Sequence, residues 1–218
     1  MQTTKSAILA SLKRSGGSSI AKLAEGIGVA KMTVRQHLAV LERDGFVQSH
    51  QVRRATGRPH LVYNLTDRGE ETFPKRYDRL AGLLLDEVSR LEAEEIAGLT
   101  PAQKKGLLFE KMAGQLQTRY GSRLEGRALP ERVAAVAKML DDEGGFAEWR
   151  AVDGGFEITD YNCVYRRVAE LDSDLCDWHL SLLSGLLGGD VQCSQFMSKG
   201  AQSCCFIVKA DGDRKGGR

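Results

Sequence analysis

The chain has 218 residues, enough for one or two domains with a buried core. Hydrophobic residues make up 42% and charged residues 28%, a balance that excludes a disordered chain and a fibre. No apolar run approaches the roughly 18 residues that a bilayer-spanning helix needs, and Met1-Gln2-Thr3-Thr4-Lys5 has neither the n-region nor the h-region of a secretory signal, so a cytoplasmic protein is expected.

The net charge of +2 conceals a split. Residues 1–70 carry 11 Lys and Arg against 5 Asp and Glu, a net of +6; residues 71–218 carry 20 against 24, a net of −4. A basic first third on a near-neutral chain is the electrostatic footprint of nucleic-acid binding.

In chain order, residues 4–16 place Ile8, Leu9 and Leu12 at helical spacing and stop at Gly16-Gly17. Ser18 or Ser19 caps a second helix over 20–26, and Gly26-Ile27-Gly28 reads as a tight turn. A third helix over 31–44 turns Val34, Leu38 and Leu41 to one side and ends at Gly45, giving a helix-turn-helix. Two strands follow, over 46–52 and 60–65, joined by the basic turn Arg53-Arg54-Ala55-Thr56-Gly57-Arg58-Pro59, and a hairpin in this place is a wing. Residues 75–95 carry Leu80, Leu83, Leu84, Val88 and Leu91 at near-heptad spacing, a stripe that must be buried against a dimer partner or within its own subunit. Further helices are expected over 100–120 and 131–143, with 121–130 as a linker between them. Beyond these come paired strands over 146–152 and 155–161, a helix over 174–187, and closing strands over 191–197 and 204–208.

The fold class is therefore α+β. Residues 1–70 form a winged-helix DNA-binding domain, 71–125 a helical dimerisation region, 126–209 an α/β sensor domain bearing the cysteines, and 210–218 a loose tail. The major groove of DNA admits one α-helix, read through residues near its N-terminal half. With Val34, Leu38 and Leu41 inward, the reading face is Lys31, Thr33, Arg35 and Gln36. Arginine pairs with guanine O6 and N7, and glutamine with adenine N6 and N7. Arg53, Arg54, Arg58 and His60 on the wing are expected to approach phosphates or the minor groove. The runs Leu23-Ala24-Glu25-Gly26-Ile27-Gly28-Val29, Thr33-Val34-Arg35-Gln36-His37-Leu38, Leu41-Glu42-Arg43-Asp44-Gly45-Phe46-Val47 and Leu65-Thr66-Asp67-Arg68-Gly69 resemble the winged-helix regulators of the ArsR/DeoR-like superfamily.

All five cysteines lie after residue 160: Cys163, Cys176, Cys193, Cys204 and Cys205. In a reducing compartment such thiols point to metal binding or redox chemistry rather than to disulfides. Twelve residues separate Cys163 from Cys176 and 27 separate Cys176 from Cys204, too wide for paired zinc knuckles. Thiolates favour iron–sulfur clusters, zinc or copper(I), and a cluster ordinarily takes four. Asp160-Tyr161-Asn162-Cys163-Val164-Tyr165, Leu175-Cys176 and Gly200-Ala201-Gln202-Ser203-Cys204-Cys205-Phe206 resemble the C-terminal domain of SufR-type regulators, iron–sulfur-binding repressors of cluster-assembly operons. The resemblance implies Cys163, Cys176 and Cys204 as ligands of a [4Fe-4S] or [2Fe-2S] cluster. The third position of the family pattern falls on Asp190, so the fourth ligand is Cys193, or else Asp190, Cys205 or His179.

These readings converge on a homodimeric repressor that binds an inverted-repeat DNA operator and senses iron–sulfur status. A zinc-responsive or thiol-redox-responsive winged-helix regulator is the alternative. An enzyme built on Cys176 with His179 lacks an oxyanion device, and no P-loop, HExxH or GxGxxG accompanies it, so no catalytic residue is assigned.

Overall fold

The first helix, α1 (Thr4–Ser15), begins where the Thr3 side chain accepts the Ser6 amide and ends at Gly16, whose φ of 66° places it in the left-handed region. The computed structural model describes residues 3–53 and 59–209, and the chain divides into two compact units, Met1–Pro74 and Lys75–Arg218.

In the first unit, α1 is followed by α2 (Ile20–Ile27), α3 (Lys31–Arg43), the antiparallel pair β1 (Val47–Val52) and β2 (His60–Leu65), and the short α4 (Asp67–Glu70). Ser19 caps α2. That helix runs through Gly26, placed in the turn by the sequence pattern, and stops at Gly28, whose φ of 74° makes it the left-handed cap. Ile8, Leu12, Leu23, Val34, Leu38, Leu41, Val47 and Tyr63 form one core. Ser18 exchanges both backbone hydrogen bonds with Tyr63 and so ties the hairpin to the turn before α2. This is a winged helix-turn-helix. Lys13 is only 1% exposed; it is ion-paired with Glu70 and lies 5.4 Å from the centroid of the Phe73 ring.

The second unit opens with α5 (Tyr77–Ser89), the short α6 (Ala93–Ile96), α7 (Pro101–Gly121) and α8 (Leu129–Asp142). Then come β3 (Glu148–Val152), β4 (Gly155–Asp160), α9 (Arg166–Leu171), α10 (Asp174–Leu187), β5 (Val191–Gln195), a 3-10 turn at Met197–Lys199, and β6 (Cys204–Lys209). The four strands form an antiparallel sheet in the order β3-β4-β6-β5. One face, carrying Ile158, Phe206 and Val208, is covered by α8 and α10.

The heptad-like stripe of 75–95 divides in the structure. Leu80 and Leu83 are buried within this unit, where α5 packs on α7, whereas Val88 and its neighbour Leu85 are 53% and 71% exposed. Leu91, the last residue of the stripe, lies beyond the helix, which stops at Ser89. The segment 121–130 is not a free linker: Leu124 is buried in the core and α8 starts at Leu129. One core joins Leu116 of α7, Val133 of α8, Leu183 of α10 and Phe206 of β6. No helix among the described residues is long and apolar enough to cross a membrane.

Candidate nucleic-acid interface and thiol cluster

The position of α3 is set on two sides. Val34, Leu38 and Leu41 anchor it in the core, and the Glu42 carboxylate accepts hydrogen bonds from the Ser49 amide (3.1 Å) and hydroxyl (2.6 Å), fastening the helix to β1. Burial raises the pKa of the Tyr63 hydroxyl, Glu42 adds to the rise and Arg35 opposes it. The opposite side of α3 exposes Lys31, Arg35 and Gln36, with Thr33 half-buried. Lys31 and Arg35 are one turn apart, as are Met32 and Gln36, so they form adjacent rows on the helix surface. Met32, 61% exposed, was not assigned to the reading face from the sequence. Its signal was present as an apolar residue off the Val34-Leu38-Leu41 stripe, and its side chain suits contact with a thymine methyl group. On the hairpin, Arg53 is exposed and His60 is half-buried, its Nδ1 having no hydrogen-bond partner among the described residues. Arg54 and Arg58 lie outside the described residues.

Residues 1–48 match a winged helix-turn-helix DNA-binding family. Among solved structures, PadR of Bacillus subtilis in complex with operator DNA is similar at 18% identity over 65% of this chain and 75% of that chain, with a TM-score of 0.30, too low to bear on function. No curated protein matches the chain at a significant level.

The winged-helix unit contains none of the cysteines. In the second unit, strand parity sorts them. Cys204 and Cys205 are neighbours on β6, so their side chains leave opposite faces of the sheet. Cys204 is buried on the face covered by helices, whereas Cys205 has the polar neighbours Gln195 (Nε2 to Sγ 3.1 Å), Ser203 (3.7 Å) and Thr159 (3.9 Å). The β5–β6 register shifts between Cys193 and Gln195: Cys193 pairs with Phe206 and Gln195 with Cys205. Pairing with Phe206 puts Cys193 on the same face as Cys204, and the extra residue, Ser194, brings Gln195 onto the opposite face beside Cys205. The Cys193 and Cys204 thiols are near enough to shift each other's protonation. Cys163 follows β4, Cys176 lies on α10, and both pack against the same core as Cys193 and Cys204. Thus Cys163, Cys176, Cys193 and Cys204 share one side of the sheet, and Cys205 is on the other.

Backbone and hydroxyl groups already meet these sulfurs. The Met197 amide donates to Cys204 Sγ at 3.3 Å, Ser198 Oγ lies 3.3 Å from Cys176 Sγ, and Cys193 Sγ donates to the Gln195 carbonyl at 2.9 Å. The Cys193 thiol is held below its ordinary pKa, chiefly by the neighbouring Cys204 thiol, and that neighbour in turn, together with burial, drives Cys204 far above its own. Burial, with the Asp160 charge second, pushes the Cys163 thiol up to about 12. A cavity of about 70 Å³ is lined by Cys163, Cys204, Asp160, Trp178 and His179. His179 stands edge-on to Phe206 (5.5 Å) beside Trp178, and burial lowers its pKa to about 4. Asp190 is exposed on the turn before β5.

The donor set fits a thiophilic group: four soft sulfurs on one side of a core, two of them lining a cavity. No three His, Cys, Asp or Glu side chains among the described residues are gathered as a metal-holding group. Ligation would therefore draw the sulfurs together and release their protons, coupling binding to the order of this unit.

Proposed function

We propose that the chain is a homodimeric transcription regulator, a repressor acting in the cytoplasm, which binds an inverted-repeat operator through α3 and the β1–β2 hairpin. Its second unit holds an iron–sulfur cluster on Cys163, Cys176, Cys193 and Cys204. The carrying observation is the grouping of the thiols: strand pairing sets Cys193 and Cys204 on the helix-covered face and Cys205 on the other, and Cys163 and Cys176 pack against the same core as the first two. A bound cluster supplies a centre vulnerable to oxidants and iron shortage. The chain's own residues hold it: the Met197 amide and Ser198 hydroxyl lie beside two of the sulfurs, and the apolar core restricts water. The exposed Leu85 and Val88 on α5 supply an apolar surface for the second subunit.

Anaerobic purification with absorbance, iron and sulfide analysis tests the sensor. Wild type and Cys205→Ser are expected to be brown with acid-labile sulfide, and Cys193→Ser to have lost most of its colour and iron. A colourless wild type after anaerobic reconstitution, or bleaching by Cys205→Ser with Cys193→Ser intact, would overturn it. The contact between the Cys193 and Cys204 thiols favours one second reading, a reversible Cys193–Cys204 disulfide as the signal. Intact-mass analysis of the peroxide-treated colourless protein would show the loss of two hydrogens.

On the DNA side, Arg35→Ala is expected to cost about 1–3 kcal/mol of specific binding and to leave non-specific binding nearly unchanged. Arg53→Ala is expected to weaken both alike and to lower the salt slope by about one. Fluorescence anisotropy across a salt series measures both, and equal losses for Arg35→Ala would remove it from the reading face.

A further inference from the structure

The second unit carries a groove that the reading above does not use. It has a volume of about 850 Å³, within the range of small-molecule sites, and lies between the C-terminal half of α7, the following turn and α8. Leu124, Ala135 and Met139 give it an apolar wall, and Arg119, Arg123 and Arg127 stand along it as exposed residues. Arg119 lies in the last turn of α7, and Arg123 and Arg127 follow in the turn beyond its end, where the Arg123 amide bonds back to the Tyr120 carbonyl.

The acids of the groove are already engaged. Glu131 accepts the Ala128 amide at the start of α8, Asp142 is paired with Lys138 at 2.9 Å, and Glu143 is paired with Arg79. None of the three arginines has an ion-pair partner among the described residues; Arg123 only stacks over the Tyr120 ring, 6.0 Å from its centroid. Three guanidinium groups without an ion-pair partner among the described residues, beside an apolar wall, define a complementary ligand, one with an anionic head and a hydrocarbon body. The groove is also adjacent to the cavity lined by Cys163 and Cys204, because Tyr120, Met139 and Glu143 line both. That shared wall is braced by Arg79, which donates to the Tyr120 hydroxyl at 2.7 Å.

We propose that this groove binds a soluble anionic amphiphile, with a phosphate or carboxylate head on Arg119, Arg123 and Arg127 and a chain of several carbons against Leu124, Ala135 and Met139. Decyl phosphate below its micellar concentration is the probe, titrated calorimetrically into the full chain, with decanol and inorganic phosphate as single-feature controls. Saturable binding with one site per chain is expected, weakened at least about tenfold in Arg119→Gln/Arg123→Gln/Arg127→Gln and for each control. The substituted side chains are exposed, so the variant is expected to keep the wild-type thermal transition. The proposal is overturned by absent saturation or by equal affinity in the triple variant. Pelleting with phosphatidylglycerol vesicles in place of binding the monomeric probe, or a change of oligomeric state in the triple variant that assigns the groove to a second copy, would overturn it as well.

Discussion

Glu70→Ala is expected to destabilise the winged-helix unit by about 3–5 kcal/mol, the range for removing one partner of a buried ion pair. Lys13 is 1% exposed and the Glu70 side chain that meets it is 18% exposed, so the pair lies largely out of water. The Lys13 ammonium also lies 5.4 Å from the centroid of the Phe73 ring, a contact the substitution leaves in place. Replacing both partners, as Lys13→Met/Glu70→Leu, is expected to recover most of the loss, because a buried ion pair exchanged for apolar side chains of similar volume removes the desolvation cost along with the attraction. Trp149 and Trp178 both belong to the second unit, so tryptophan fluorescence is blind to this change. Hydrogen exchange at core amides such as Leu12 and Leu38 reads it directly. Unchanged protection in Glu70→Ala would show that the pair does not hold α1 against α4.

The second large effect concerns acid. Burial lowers the His179 pKa to about 4, against about 6.5 for an unperturbed histidine. Above pH 6.5 the imidazole is neutral in folded and unfolded chains alike and exerts no pull. Between 6.5 and 4 the unfolded chain takes up a proton that the folded one does not, so stability falls as pH falls and levels off below 4. The difference corresponds to up to about 3 kcal/mol. Urea denaturation of metal-free, reduced protein at pH 7 and pH 4.5, followed through Trp178, measures it. Carboxylates add their own slope, so the decisive comparison is with His179→Phe, which is expected to lose most of the difference. An equal pH dependence in that variant would refute the assignment.

Much of the winged helix was legible in the sequence, because its determinants are local. Apolar residues at i, i+4 and i+7 set the buried side of α3, Ser19 and Gly28 bound α2, and alternation marks β2. The second unit was legible only in part. The stripe from Leu80 to Leu91 says that a surface must be covered but not by what, and α7 of the same chain covers Leu80 and Leu83. The six-residue α9 was missed because so short a helix shows no full period. Gly121–Pro130 looked like a linker because its two leucines, Leu124 and Leu129, which both meet the core, are too few to set a period. The burial of Lys13 had no local signal at all, since its partner Glu70 is 57 residues away.

For the cysteines, spacing along the chain offered a choice among Cys193, Asp190, Cys205 and His179, and it could not see the β5–β6 register that puts Cys193 on the face of Cys204 and Gln195 beside Cys205. The proximity is a property of β5 paired on β6, and a pairing shift is written in two distant segments at once.

Ser194 therefore makes chain length, and not only residue type, a determinant of the local path of β5. Side-chain parity on one flank of the bulge is offset from that on the other, as in a message read in two frames. Deleting Ser194 would restore a single frame, leaving Cys193 opposite Phe206 and Gln195 opposite Cys205 in an unbroken ladder. The facing of both side chains is thus expected to survive that deletion, with only the local kink lost.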